Sequence, residues 1–180
     1  MAPKSPQKLT RGAGGKGCFR HCPGTPVKAA RAANGAFNIC YRVTYDNGYR
    51  VLVRFTCLGR VVARNEKVED EVAIMQYVAQ HTAVPVPKVW GFGKCAVGLY
   101  IVMDFVEGRQ LSGYLREPTQ EVVTLRLNIH MSVLRRAYFG MAEILLELSK
   151  PDLPFIEAVR LDESSGEWTV QKRPLTFNMN

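Results

Sequence analysis

The sequence lacks several features that define common protein classes. No apolar run reaches the roughly 18 residues that a membrane-spanning helix requires, which argues against an integral membrane protein. Residues 1–30 contain no apolar core of the kind found in secretory signal peptides. The five cysteines are an odd number, and Cys40, Cys57 and Cys95 lie in or beside predicted strands. That usage is typical of reduced thiols in a reducing compartment, so we expect a cytoplasmic protein.

Acidic residues are absent from the first 45 positions. Residues 1–45 contain eight lysines or arginines, whereas residues 46–180 contain sixteen basic and sixteen acidic residues. The formal net charge of +8 is therefore confined to the N-terminal quarter of the chain. Much of this quarter is also rich in glycine and proline, and such a segment buries too little apolar surface to offset the entropy lost on ordering. We expect a disordered basic tail over residues 1–32.

The basic composition of the tail allows non-specific partners. Nucleic acid or anionic lipid would be attracted electrostatically, although a solvated tail without a partner is the favoured interpretation. A mitochondrial targeting segment is a weaker alternative, because glycines and prolines interrupt any amphipathic helix.

Two short motifs in the tail superficially suggest ligand sites. Residues 18–22 (CFRHC) resemble part of a zinc site, but a structural zinc ion needs four ligands, and Cys40 and Cys57 are expected in strands. Residues 12–17 (GAGGKG) lack the glycine–lysine spacing of a phosphate-binding loop, and no predicted strand precedes them. No metal site is assigned.

Two stretches after the tail alternate apolar and polar residues, which is the pattern of half-buried strands. They run from Phe37 to Tyr45 and from Tyr49 to Phe55. Between them, Asp46-Asn47-Gly48 supplies residues that tolerate the positive φ of a tight hairpin. The sequence therefore predicts two paired antiparallel strands here.

A helical period follows from Asn65 to about His81. Its apolar residues recur at helical spacing, and an acidic cluster occupies the first turns, where the helix dipole favours negative charge: Val68, Val72, Met75 and Ala79, with Glu66, Glu69, Asp70 and Glu71. Pro85 and Pro87 then exclude helix. They predict an extended lead into residues 88–92, followed by an apolar strand over residues 99–106.

The last third of the chain is predicted to be mainly helical. Residues 111–116 form a short predicted helix, and apolar residues at spacings of three and four predict an amphipathic helix from Met131 to Leu148. Residues 158–161 and 168–171 read as a hairpin around Ser164-Ser165-Gly166. Apolar faces left exposed in this region would favour self-association.

Several motifs along this chain resemble the aminoglycoside phosphotransferase-like family, which is also choline kinase-like and protein kinase-like, in particular its large fungal branch. The resemblance covers about residues 33–180, and the order and spacing of the motifs carry it. The motifs are GAFNICYRV at 35–43, VLVRF at 51–55, EKVEDEV at 66–72, VPVPKV at 84–89, YIVMDFVEG at 100–108, AEILLELS at 142–149, GEWTV at 166–170 and RPLTFNMN at 173–180.

The resemblance implies an α+β fold. Residues 33–108 would form a kinase-like small lobe, with an antiparallel sheet and one helix, and residues 109–180 would form the start of a large lobe. ATP and Mg²⁺ are the implied cofactors. The implied nucleotide-binding residues are Gly35, Ala36, Phe37 and Asn38 in a loop over the phosphates, Arg54 on a phosphate, Glu71 orienting Arg54, and Met103, Asp104, Phe105 and Val106 in the hinge that faces adenine.

Each of these assignments has a purely structural alternative. Arg54 and Glu71 would also make sense as an ordinary ion pair between a strand and a helix, and Met103 as a core residue. The resemblance favours an inherited nucleotide site, with the guanidinium of Arg54 and the carboxylate of Glu71 in contact.

The catalytic half of the family is not recognisable in this sequence. That half carries a His-Gly-Asp segment, a downstream Asn and an Asp for magnesium, whereas the five aspartates here do not adjoin any histidine: Asp46, Asp70, Asp104, Asp152 and Asp162. Without a base and a metal-holding carboxylate, phosphoryl transfer loses both nucleophile positioning and charge neutralisation. We assign no catalytic residue and expect a truncated domain, or a truncated gene product, that is inactive alone. The alternatives are a pseudokinase-like module that binds nucleotide or protein, and nucleic-acid association through the tail.

Overall fold

The computed structural model describes residues 11–12, 21–57, 59, 63–117, 124–155 and 157–172. These residues form two compact units. The first contains the described residues up to Phe105 together with those from Leu153 onwards, and the second is Val106–Asp152. The architecture is mixed α+β, with a five-stranded antiparallel sheet followed by helices, as expected for a kinase-like small lobe and the start of a large lobe.

The sheet of the first unit has the strand order β1-β5-β6-β4-β3-β2. Its five long strands pair antiparallel, and the two-residue β1 adds to β5 in parallel. The strands are β1 (Arg11–Gly12), β2 (Pro26–Asn34), β3 (Asn38–Tyr45), β4 (Arg50–Thr56), β5 (Val89–Cys95) and β6 (Gly98–Asp104).

The β3–β4 hairpin forms where the alternating pattern predicted it. Gly48 has a φ of +79°, which glycine adopts without steric cost, and the amide of Gly48 donates to the carbonyl of Tyr45 at 3.0 Å. The predicted positive-φ turn is confirmed. The register pairs Val43 with Val51 and Tyr41 with Val53.

Strand β2 begins inside the segment for which composition predicted disorder. Strand β2 therefore begins at Pro26 rather than after residue 32, and it pairs along β3 from Pro26↔Tyr45 to Asn34↔Ile39. His21 and Cys22 precede it and are half-buried and buried, respectively. Backbone pairing with β3 orders this segment, although its side chains are mostly small or charged. Residues 1–10 and 13–20 of the expected tail lie outside the described residues.

The outer face of the sheet carries one apolar cluster. We define the outer face by Val51 and Val53 of β4 with Tyr100 and Val102 of β6, all of them buried. Val43, Tyr45 and the thiol of Cys22 complete the cluster. The segment that leads into β2 therefore packs on this face.

The inner face of the sheet is covered by α1 (Arg64–His81). Val68 and Val72 of the helix are buried against Val89, Ile101 and Met103 of β5 and β6. Their spacing of four residues places the two valines on one side of the helix. The helix predicted over residues 65–81 is confirmed, and its docking determines where its acidic residues lie.

A second, two-stranded sheet belongs to the same unit. Strands β7 (Ala158–Leu161) and β8 (Trp168–Lys172) form the predicted antiparallel hairpin. The sequence assigned this hairpin to the start of the large lobe, but the structure groups it with the small lobe, where β7 packs against α1. Side-chain contacts between positions about ninety residues apart hold it there.

The second unit contains two helices, α2 (Ser112–Leu115) and α3 (Met131–Leu148). Helix α3 has the predicted bounds, and the Nδ1 atom of His130 caps its first turn by accepting a hydrogen bond from the amide of Ser132 at 3.3 Å. Within the described part of the chain, no residue of α3 is buried. None of the described helices is both long and apolar enough to cross a lipid bilayer.

Candidate functional site

The centre of the site is an ion pair between the sheet and α1. Arg54 lies near the end of β4 on the inner face, because it alternates with the outer-facing Val53 and pairs across to Ile101. Its Nη2 atom is 2.7 Å from Oε2 of Glu71, and the two side chains are 18% and 33% exposed. The predicted contact between these residues is confirmed.

The Nη2 atom of Arg54 retains unused hydrogen-bonding capacity. This atom is buried, and within the described residues it has no hydrogen-bond partner of acceptable geometry. The nearby carboxylate thus provides charge compensation without a well-directed N–H···O bond. Leaving a buried donor unsatisfied costs about 1–3 kcal/mol, so an anionic oxygen placed along the free N–H direction would be stabilised there.

The residue opposite Arg54 on β3 is Cys40. Burial raises the pKa of the Cys40 thiol, and this effect outweighs the nearby guanidinium of Arg54, which acts in the opposite direction. The thiol therefore stays neutral near neutral pH. It adds no negative charge to the surroundings of Arg54.

The loop predicted to cover phosphates lies at the same end of the sheet. It runs from Gly35 through Ala36 and Phe37 to Asn38, the first residue of β3, two positions before Cys40. The amide of Gly35 donates to the carbonyl of Asn38, and the amide of Cys57 donates to the carbonyl of Phe37, both at 2.8 Å. These two bonds fix the loop as a closed turn over the strand ends.

Gly35 has a conformation that other residues also adopt. Its φ is not positive, and a Cβ at this position would meet only the carbonyl oxygen of Asn38, at 3.8 Å. The fold of the loop therefore does not require glycine here. Open space next to a backbone turn is what the close approach of a ligand needs.

The loop also contacts α1. The ammonium of Lys67 lies 5.2 Å from the centre of the Phe37 ring, a cation–π geometry. Because Lys67 lies four residues before Glu71, one stretch of the helix reaches both the loop and Arg54. The loop and the ion pair are thus parts of one arrangement.

The four predicted hinge residues have different environments. Met103 is buried between the sheet and α1. The amide of Phe105 donates to the carbonyl of Arg50 at 3.3 Å, and the guanidinium of Arg42 lies 5.5 Å from the Phe105 ring centre. Val106 is exposed and is the first residue of the second unit.

The side chain of Asp104 points to the outer face. Its Oδ1 atom accepts hydrogen bonds from the indole N–H of Trp90, at 2.6 Å, and from the hydroxyl of Tyr49. Burial, followed by the bond to Asp104, raises the pKa of Tyr49 to about 12. Through these bonds Oδ1 of Asp104 joins β6 to Trp90 of β5 and to Tyr49, the residue before β4.

A comparison with protein families identifies the chain. The sequence profile of the phosphotransferase enzyme family matches residues 28–168. The chain belongs to this family. No curated protein matches it significantly. The family match begins in β2 and ends at the first residue of β8, so it includes β3 to β6, α1 and the second unit.

Phosphotransferases of this family suggest ATP as the nucleotide, and the buried Nη2 of Arg54 fits a phosphate oxygen. For a metal the described residues offer less. They contain no group of three or more histidine, cysteine, aspartate or glutamate side chains arranged as ligands. Glu71 is already paired with Arg54. Cys18 of the zinc motif and residues 13–17 of the glycine-rich motif lie outside the described residues.

Arg160 is the main site-associated residue that sequence reasoning missed. Its Nη2 contacts Oδ1 of Asp70, one residue before Glu71, and lies 3.8 Å from Oε2 of Glu69. Sequence reasoning attributed Glu69 and Asp70 to the helix dipole, whereas only Glu66 lies in the first turn. Helical spacing gave no signal for this contact, because Asp70 lies two residues from Val68 and from Val72 and therefore on the opposite side of α1.

Proposed function

We propose that this phosphotransferase chain is a nucleotide-binding lobe that holds the phosphates of ATP through Arg54. The observation that carries the proposal is the buried Nη2 of Arg54, which lies beside Glu71 but has no hydrogen-bond partner among the described residues. A guanidinium so placed is oriented by one carboxylate and still has an N–H to donate. Phosphate oxygens are the acceptors that this charged donor favours.

The surroundings of Arg54 support a phosphate rather than another anion. The Gly35–Asn38 turn lies at the same strand ends, and backbone amides in such turns bind phosphate groups. Family membership supports the same ligand. ATP bound there would bring its phosphates to the inner face of the sheet.

We further propose that the chain does not catalyse phosphoryl transfer by itself. The sequence has no aspartate next to a histidine, so no pair resembles the family's catalytic segment. Positioning of the acceptor and neutralisation of the transferred phosphoryl group both depend on such carboxylates. The lobe binds nucleotide, and chemistry requires residues that this sequence does not supply.

Calorimetric titration of the 180-residue chain with ATP, with and without Mg²⁺, tests the binding proposal. Arg54→Met keeps much of the side-chain length but removes the charge, and we expect it to weaken ATP binding at least tenfold, or about 1.4 kcal/mol. Arg136→Ala is the matched control, because Arg136 is an exposed arginine on α3. Absence of binding by the unsubstituted chain, or equal affinity in Arg54→Met, would refute the proposal.

A second candidate function is self-association, which does not involve a nucleotide. The exposed apolar side chains of α3 favour it, and they include Met131, Tyr138, Phe139, Leu145 and Leu146. Light scattering over a range of protein concentrations tests it. A mass that rises with concentration, and returns to that of the monomer in Leu145→Glu, would support this candidate.

A further inference from the structure

Helix α1 is attached to two different elements at adjacent residues. Glu71 contacts Arg54 of the main sheet, while Asp70 contacts Arg160 of the β7–β8 hairpin. Successive residues of an α-helix point about 100° apart. Two contacts at adjacent positions, made to different partners, therefore fix how the helix is rotated about its own axis.

The hairpin also contacts the C-terminal end of the helix. The indole N–H of Trp168 donates to Oε1 of Gln80 at 2.8 Å. The ring of Trp168 packs edge-on against Tyr77, with centres 5.2 Å apart, and lies 6.2 Å from His81. Contacts near the middle and at the C-terminal end of α1 limit its tilt and its sliding as well as its rotation.

We propose that the β7–β8 hairpin is a brace that sets the position of α1, and that Arg160 and Trp168 are positioning residues for the phosphate-binding Arg54. The effect of this brace on ligand binding rests on the nucleotide function proposed above. Arg160 contacts acidic residues of α1, and Trp168 contacts residues at its C-terminal end. Both act through the helix that carries Glu71.

The burial of Asp70 gives the brace its physical basis. This carboxylate is 8% exposed, and removing the cation that compensates a buried carboxylate is strongly unfavourable. Without Arg160, the helix lowers that cost by rotating or shifting until Asp70 reaches water. Because Glu71 is the next residue, the same movement takes its carboxylate away from Arg54.

A spectroscopic test uses a signal of Arg54 to detect whether Glu71 is still in contact with it. The Nε–Hε signal of Arg54 in a ¹H–¹⁵N spectrum is assigned by its loss in Arg54→Met, and Glu71→Gln gives its position when the ion pair is broken. In Arg160→Ala we expect the Arg54 signal to move towards the Glu71→Gln position. Arg160→Lys should return it, and Arg136→Ala should leave it unchanged. An Arg54 signal that stays at its original position in folded Arg160→Ala overturns the proposal.

Trp168→Phe supplies a second variant in case Arg160→Ala does not fold. It keeps an aromatic ring against Tyr77 and removes the hydrogen bond to Gln80. We expect a smaller displacement of the Arg54 signal in the same direction. No displacement in Trp168→Phe, when Arg160→Ala is unfolded, would also overturn the brace.

Nucleotide affinity separates positioning from general destabilisation. Arg160→Ala should weaken ATP binding about fivefold in the unsubstituted chain and leave it unchanged in Arg54→Met, because contacting residues and their supports are not additive. Equal weakening in both backgrounds would contradict the brace. If the unsubstituted chain binds no ATP, the nucleotide function fails, while the Arg54 signal still decides whether the hairpin positions the helix.

Discussion

The imidazole ring of His21 occupies the space that a side chain at Gly91 would need. A Cβ built on Gly91 would lie 2.6 Å from both Cε1 and Cγ of the ring, well inside van der Waals contact. The Nε2 atom of His21 is 3.0 Å from the hydroxyl of Tyr100, within hydrogen-bonding distance. The segment before β2 is thus seated on β5 and β6, and residue 91 must be small for it to stay there.

Gly91→Ala should therefore destabilise the first unit. We expect a loss of about 1–3 kcal/mol in the free energy of unfolding, as for other overpacked sites, measured by urea denaturation. Gly140→Ala is the control, because no neighbouring atom lies within 4 Å of a Cβ there. Alanine in this helix interior should be neutral or stabilising by up to about 1 kcal/mol. Adding His21→Ala to Gly91→Ala should recover part of the loss, and an unchanged double variant would argue against the contact.

His21 should also make stability depend on pH. Burial lowers the pKa of its imidazole below the ordinary value of 6.5. In the range below 6.5 the unfolded chain binds the proton more readily than the folded chain, so stability is full above this range and falls as the pH decreases through it. As the pH decreases through this range, the denaturation midpoint should fall less steeply in His21→Gln than in the unsubstituted chain. Equal slopes in both proteins would exclude His21 as the cause.

Local patterns in the sequence predicted most of the elements around the site. Alternation identified β3 and β4, helical spacing identified α1 and α3, and the resemblance brought Arg54 to Glu71. Strand β2 was missed, because Lys28, Ala29, Ala30 and Arg31 show neither alternation nor high strand propensity. Pairing with β3 orders that segment, and this pairing depends on tertiary structure.

The docking of the hairpin on α1 could not be predicted from local patterns. Asp70 and Arg160 are ninety residues apart, and nothing near either residue identifies the other. Apart from Glu71, which the resemblance pairs with Arg54, the acids of α1 were explained only by the helix dipole, and only Glu66 lies in the first turn. Long-range pairing of charges becomes visible only once the fold brings the two elements together.

The chain should show no ATP-dependent phosphotransferase activity towards aminoglycosides, choline or sugars. The reason is the missing combination of a base and a metal-holding carboxylate. Release of ADP in the presence of Mg²⁺ and each acceptor is the measurement. Turnover that survives rigorous purification and disappears in Arg54→Ala would show that the chain supplies its own catalytic groups.

Any binding of nucleic acid should come from the basic N-terminal residues and weaken steeply with salt, because lysines and arginines that contact phosphates release counterions. Since His21 and Cys22 pack on the sheet, the informative deletion removes residues 1–20, which takes only the two-residue β1 from the described sheet. We expect this deletion to abolish binding in a titration with labelled duplex DNA at several salt concentrations. Binding that persists would place the contact on the folded part of the chain.

The first unit is assembled from two separate stretches of sequence, and this has a consequence for the order of events during synthesis. Helix α1 leaves the ribosome before residues 106–152, and the strands that carry Arg160 and Trp168 follow only after them. Until the hairpin arrives, the nascent helix has its sheet but lacks the contact between Asp70 and Arg160. The small lobe, although it is made mostly from residues before Val106, is therefore completed only by residues that follow the second unit in the chain.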